Sequence, residues 1–415
     1  RILIGKDTRR SSYTLEYAIA SGITSSGADA YMLHVTTTPS VSYVTRTDEF
    51  DCGIMITASH NPYYDNGIKL INRYGEKMDD ATTEFVEAYL DGNIKKLGID
   101  GNDIPFAHRD GIGSIVDYVA GRNRYVGYLI SVASHSYKDL RIGLDCANGA
   151  SWMIAKAVFD ALGAKTYVIG ASPDGLNVNK DCGSTHIENL IEFVRENRLD
   201  AGFAFDGDAD RCIAVDENGR IVDGDCILYI LGTRLKSRGI LDGDTVVATV
   251  MSNSGLFKAF ESAGIKYELT AVGDRFVYEC MQKNGYRLGG EQSGHIILQK
   301  YATTGDGLLT AIMLTEEMRD RKLPLSKLAE PVRLYPQTVK SIRVASKEQA
   351  LSDPEVKAEF DAINKEINGN GRALLRASGT EPVVRIMLEC ESEELCEKYT
   401  ARLLEAIHKR GYCCE

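Results

Sequence analysis

Short apolar runs of about five residues recur along the chain, each closed by small or polar residues and followed by a stretch of helical period. Three of these sequences share one order. Ile2-Leu3-Ile4 precedes helical spacing from Tyr13 to about Ser26, a stop at Gly27, and a second apolar run, Ala30–Leu33. Ile142–Asp145 leads through the small-residue turn Ala147–Ala150 into a helical stretch to Leu162, then Gly163 and Lys165–Ile169. Thr245–Val250 leads through Ser252–Gly255 into a helix to Ala263, then Gly264 and Lys266–Leu269. A glycine just past a helix end takes the left-handed conformation that other residues resist. Strand, helix, strand at this spacing predicts βαβ units with parallel strands and right-handed crossovers.

The pattern changes after Pro324, Pro331 and Pro336, a cluster that reads as a linker and a hinge candidate. Beyond it, Val339–Val344 alternates like a half-buried strand, and Ala373–Leu375 and Val383–Leu388 also read as strands. A closing amphipathic helix from Glu393 to His408 carries Leu395, Tyr399, Leu403 and Ile407 on one face. The predicted fold is α/β: three similar α/β units with mixed, mainly parallel sheets, plus a smaller C-terminal α+β domain. Its boundaries are expected at 1–118, 119–218, 219–330 and 337–415, with the helical stretch Asp117–Ala133 linking the first two units.

Composition narrows the function classes. Among 415 residues, 48 Lys and Arg face 59 Asp and Glu, a formal charge of −11. That balance argues against a general nucleic-acid or anionic-membrane binder, which needs a basic face. No apolar run reaches the ~18 residues of a membrane span. The ten cysteines are scattered without a CxxC pair, and read as reduced thiols of a cytoplasmic protein rather than a disulfide framework.

Four segments are too polar and glycine-rich for core. Thr57-Ala58-Ser59-His60-Asn61-Pro62 follows the apolar run Gly53–Ile56, and presents a serine hydroxyl at a strand end; an ordinary Ser/Asn/Pro turn is the competing reading. A serine-hydrolase elbow is absent, since no G-x-S-x-G occurs. Lys69 follows nearby, available to neutralise phosphate or move a proton. Asp206-Gly207-Asp208-Ala209-Asp210-Arg211 follows the run Ala201–Phe205. Its alternating carboxylates repel one another unless a hard cation such as Mg²⁺ or Ca²⁺ neutralises them. The EF-hand template fails, because Arg211 stands where the loop glycine must be. Arg211 instead suggests that a phosphate shares the site. Gly290-Glu291-Gln292-Ser293-Gly294-His295 offers donors and acceptors suited to sugar hydroxyl or amino groups. Upstream, Arg275 in Gly273-Asp274-Arg275 adds a charged contact, while Asp274 reads equally well as a helix cap. Arg376-Ala377-Ser378-Gly379-Thr380-Glu381-Pro382, with Arg385 beyond it, forms a phosphate cradle without a Walker A sequence. Two anion sites flanking a sugar reader suit an enzyme that moves a phosphoryl group between two ends of one sugar.

In this order, TASHNPYYDNGIK, DGDADR, GEQSGH and RASGTEP resemble the α-D-phosphohexomutase family over nearly the whole chain. The resemblance implies domains around a central cleft and a Ser59 that carries a phosphoryl group. It implies one Mg²⁺ per chain, held by Asp206, Asp208, Asp210 and the Ser59 phosphate. Glu291, Ser293, His295 and Arg275 would read the sugar. Arg376, Ser378, Gly379, Thr380 and Arg385 would grip the non-reacting phosphate, and Arg211 would stabilise the transferring group. Lys69 and His60 are the acid–base candidates. Lys69 is favoured, on the expectation that a neighbouring metal and arginine lower its pKa towards neutrality.

Members acting on mannose or glucose phosphates usually show Met at the position of Gln292. The implied activity is therefore interconversion of glucosamine 6-phosphate and glucosamine 1-phosphate, with a hexosamine 1,6-bisphosphate as intermediate and activator, feeding UDP-N-acetylglucosamine and cell-wall precursors. Mannose and glucose phosphates are the alternative substrates, and a non-catalytic sugar-phosphate sensor is the alternative of another class. A homodimer is the family expectation. The family's Gly-Thr-Asp-Gly-Ile-Arg-Gly type segment does not occur, and the first residue is Arg1. A preceding stretch of a few tens of residues, with an arginine facing the phosphoserine, is thus expected to be missing.

Overall fold

The computed structural model describes residues 1–93, 98, 106–377 and 383–412. Strands β1 (Ile2–Lys6), β2 (Ala30–Val35), β3 (Cys52–Ile56), β4 (Ile68–Asn72) and β5 (Ile115–Asp117) form a sheet of order β4-β3-β1-β2-β5. A second sheet joins β6 (Arg141–Asp145), β7 (Lys165–Ile169), β8 (Ala201–Phe205), β9 (Cys212–Asp216) and β10 (Ile221–Val222) in the order β10-β9-β8-β6-β7. A third joins β11 (Thr245–Thr249), β12 (Lys266–Thr270), β13 (Leu288–Gly290) and β14 (Ile296–Leu298) in the order β12-β11-β13-β14. In each, the first strand pairs in parallel with the second and the third, and a fourth returns antiparallel beside the third. The repeat seen in the sequence is thus one topology used three times.

Alternation explains how the first sheet is covered on both faces. Leu3, Leu33 and Met55 pack with Val41 and Val44 of the helix Thr38–Thr47. Their neighbours Ile4, Met32, Ile54 and Ile56 pack with Leu15, Ile19, Ala20 and Ile23 of the helix Arg10–Ser25 on the other face.

The chain divides into two compact units, Arg1–Met251 with Ala263–Pro331, and Ser252–Ser262 with Val332–Glu415. The first holds the three sheets above. The second holds the antiparallel sheet of β15 (Gln337–Arg343), β16 (Arg372–Ala377) and β17 (Val383–Glu389), in the order β15-β17-β16. The helix Glu393–Lys409 buries Cys396, Tyr399, Leu403 and Ile407 in that unit's core. The helix Ser254–Ser262 lies in the second unit, although the sequence repeat reads it as a crossover of the third. Its ties account for this. Ser254 N donates to Glu389 Oε1 at 2.9 Å, and the Asn253 amide pairs with both backbone groups of Tyr335 at 2.9 and 3.0 Å. A Cβ on Gly255 would lie 2.0 Å from the Arg333 carbonyl oxygen, so only glycine allows this approach.

Eight cysteines are free among the described residues, and no helix there is long and apolar enough to cross a membrane.

Candidate active site

Polar loops at the carboxyl ends of β1 and β3, parallel neighbours in the first sheet, meet the loop at the carboxyl end of β8 in the second. Ser59 stands two residues past Thr57, the first residue beyond β3, with φ of 52°. A non-glycine residue there costs about 1–3 kcal/mol, so its surroundings must hold it. Ser59 N donates to Thr57 Oγ1 at 2.9 Å, and the Ser59 carbonyl accepts from Arg9 Nη2 at 2.9 Å and Asn179 Nδ2 at 2.8 Å. Arg9 is 1% exposed and donates also to the carbonyls of Asn61 (2.8 Å), Asp65 (3.2 Å) and Pro62. Asp7 Oδ2 accepts from Arg9 Nε and from Thr57 Oγ1, each at 2.8 Å. One buried guanidinium therefore clamps the serine loop, and a buried carboxylate orients the guanidinium.

Ser59 Oγ donates to Asp206 Oδ2 at 2.6 Å. A Cβ on Gly207 would lie 2.6 Å from the Ser59 carbonyl oxygen, which explains a glycine between the first two carboxylates. Asp206, Asp208 and Asp210 are buried and offer carboxylate oxygens within 4.8 Å of one another. Thr38, which opens the helix Thr38–Thr47, donates through Oγ1 to Asp208 Oδ2 and through N to the Asp208 carbonyl at 3.0 Å. The positive end of that helix thus faces the acidic loop.

Burial, then the charges of Asp210 and Asp208, push the Asp206 carboxyl well above the usual range. Asp208 Oδ1 and Asp210 Oδ1 are buried without a hydrogen bond among the described residues. A buried, oxygen-only set with spare acceptors fits a hard cation, and the triad could hold a metal ion.

Lys69 Nζ reaches Asp208 Oδ2 at 2.6 Å and Asp210 Oδ2 at 2.9 Å. The antiparallel pairing of β4 on β3, Lys69 opposite Met55, puts it there. Opposing effects set its pKa here. Burial alone would lower it, but the charges of Asp208 and Asp210 outweigh burial and hold it above the usual lysine range. His60 moves the other way, lowered by desolvation and then by the Arg211 cation.

Glu291, Gln292, Ser293 and His295 line one cavity of about 500 Å³ with Ser59, His60, Lys69, Asp210 and Arg211. His295 is buried; Nε2 accepts from Gly305 N at 3.0 Å, which places the ring proton on Nδ1, 3.8 Å from Asp210 Oδ1. Gln292 Nε2 lies 3.4 Å from Asp223 Oδ2. Arg275 does not join this group. Its guanidinium pairs with Asp80 and Glu279, and Asp274, its neighbour, faces the cavity instead.

In the second unit, Arg376 on β16 lies directly opposite Arg385 on β17. Burial, then the Arg385 charge, lowers the Arg376 pKa. Like charges opposed across strands destabilise unless an anion bridges them. Ser378, Gly379 and Thr380 lie outside the described residues.

Family models of phosphoglucomutase/phosphomannomutase match in chain order: alpha/beta/alpha domain I at 1–96, domain II at 123–219, domain III at 223–335 and the C-terminal domain at 340–406. The chain belongs to this family. It is similar to a phosphoglucosamine mutase of Lachnospira eligens, 60% identical over 412 residues, which are 99% of this chain and 90% of the relative. The phosphoglucosamine mutase of Bacillus subtilis is 46% identical over 407 residues, 98% and 89% of the two chains. Among solved structures, a phosphoglucomutase/phosphomannomutase family protein from Burkholderia thailandensis matches at TM-score 0.80 and 22% identity, covering 99% of this chain and 89% of that one. An N-acetylphosphoglucosamine mutase of Aspergillus fumigatus, solved with GlcNAc-6P and magnesium, matches at 0.69 and 19%, covering 90% and 93%. These two show the shared fold.

The enzyme is thus a phosphohexomutase, an isomerase. Reading its sequence residue by residue misses Asp7, Arg9, Thr38 and Asn179. A signal for the first two exists: Lys6-Asp7-Thr8-Arg9 is a charged run at the carboxyl end of a parallel strand, where ligands bind in such sheets. Thr37-Thr38-Pro39 likewise marks a helix start, with Thr37 accepting from Ser40 N. Nothing local marks Asn179.

Proposed function

We propose that this phosphohexomutase interconverts glucosamine 6-phosphate and glucosamine 1-phosphate through a phosphoserine at position 59 and a 1,6-bisphosphate intermediate. The observation that carries the reading is the Ser59 Oγ hydrogen bond to Asp206, at the edge of a buried triple carboxylate and in one cavity with Glu291, Ser293 and His295. The phosphoglucosamine mutases at 46–60% identity support the choice of sugar.

Phosphoserine 59 meets the free hydroxyl of the sugar phosphate. The phosphorus bond to Ser59 Oγ breaks, the bond to the sugar oxygen forms, and the hydroxyl proton passes to a base. His60 and Lys69, which line the cavity beside Ser59, are the candidates for that base. The bisphosphate then turns, and the other phosphate returns to Ser59. Arg211 and Lys69 balance the charge spread over the transferring oxygens. Arg376 and Arg385, with Ser378, Gly379 and Thr380, take the phosphate that is not in transfer.

Asp206, Asp208 and Asp210, with the Ser59 phosphate, would hold Mg²⁺, which when bound supplies positive charge beside the reacting group. Removing divalent cations with a chelator is expected to lower turnover by about 10³-fold or more, with recovery on adding Mg²⁺. Undiminished activity at full chelation would remove the metal from the reaction.

The substrate is tested by kcat/KM on the 6-phosphates of glucosamine, glucose and mannose. Glucosamine is expected to lead by at least about tenfold. A lead for either neutral sugar would overturn the assignment while leaving the family intact.

A further inference from the structure

Asp274 opens the helix Asp274–Asn284, where an aspartate commonly serves the exposed backbone N–H groups. It does not do so here. Gly273 is the N-cap residue, at φ 131°, and no side chain caps the helix. The Asp274 carboxylate instead lines the cavity of Ser59, Lys69, Arg211 and His295. Its ion-pair partner, Lys77 Nζ, stands 3.7 Å from Oδ1, beyond hydrogen-bond reach. The side chain remains 45% exposed.

The other carboxylates lining that cavity are engaged. Asp210 holds Lys69 at 2.9 Å and belongs to the acidic triad. Glu291 Oε1 accepts from Gly273 N at 3.0 Å. A carboxylate that faces cations but holds no hydrogen bond among the described residues, in a cavity that must receive a phosphorylated sugar, weakens phosphate binding unless it meets a positive group on the same ligand.

We propose that Asp274 receives the C2 ammonium of the hexosamine phosphate and sets the preference for an amino sugar over a hydroxyl sugar. This rests on the substrate reading given above. Lys77 competes for the same carboxylate and tempers its affinity.

The test compares kcat/KM for glucosamine 6-phosphate and glucose 6-phosphate in the wild type, Asp274→Asn and Lys77→Met. In Asp274→Asn the ratio is expected to fall about 10- to 100-fold, the scale of a hydrogen bond between charged groups. In Lys77→Met it is expected to rise roughly two- to threefold, since a partly exposed competitor is weak. A purely structural Lys77–Asp274 pair would lower activity on both sugars alike in both variants, and that result overturns the proposal. A wild type without preference for glucosamine overturns the substrate reading, and the role of Asp274 with it. A wild type with the preference whose Asp274→Asn variant keeps it overturns the role of Asp274 alone.

Discussion

Ser59→Ala is expected to lower turnover by about 10⁴- to 10⁶-fold, the range seen when a covalent nucleophile is removed. It is also expected to abolish the gain in intact mass that the wild type shows after exposure to a 1,6-bisphosphate. The fold should survive. What holds the loop is the Ser59 backbone, whose carbonyl accepts from Arg9 and Asn179 and whose N–H donates to Thr57. The hydroxyl makes one bond, to Asp206, and its loss costs about 1 kcal/mol. Thermal unfolding close to the wild type, with no turnover and no phosphoryl uptake, is therefore the expected result. Turnover near the wild-type rate would end the phosphoserine cycle.

The fold was legible because its signals are local. Glycines at 27, 163 and 264 follow helices, and each has positive φ in the structure. Lys165–Ile169 and Ala201–Phe205 are strands with the bounds that the apolar runs suggest. The site was legible where chemistry is crowded into a short segment. Three aspartates at alternate positions suggest a cation from the sequence alone, and the structure buries them together in a group that could hold one. The less legible features depend on long-range geometry. Asn179 lies 120 positions from the carbonyl it supports, and Arg9 lies 50 positions from the same atom. Lys69 meets two carboxylates that the chain places 139 and 141 positions away. Its loop position alone places Arg275 among the sugar-reading residues. Helical spacing instead gives Arg275 a partner in Glu279, four residues on, while Asp274 lines the cavity of Ser59 and His295.

Arg9→Met should show that this second layer governs both stability and rate. Removing one partner of a buried ion pair costs about 3–5 kcal/mol, because the other charge is left buried alone. That charge is Asp7. Burial raises its pKa, while the Arg9 charge pulls the other way. Without Arg9 the rise is larger. An acid that binds its proton more tightly when folded loses stability as pH rises through its folded pKa. The deficit of Arg9→Met relative to the wild type should thus be greatest at neutral and alkaline pH, and shrink as acid protonates Asp7. Turnover should fall about 10²-fold or more, since four loop carbonyls lose their common donor and the serine drifts from its place beside Asp206. Adding Asp7→Asn separates the two effects. It removes the stranded charge, so the double variant should regain much of the unfolding free energy and flatten its pH dependence, yet stay slow. An Arg9→Met enzyme with wild-type kcat would show that Ser59 keeps its strained backbone without the clamp. A double variant that recovered activity along with stability would show that Arg9 matters only as the counter-charge of Asp7.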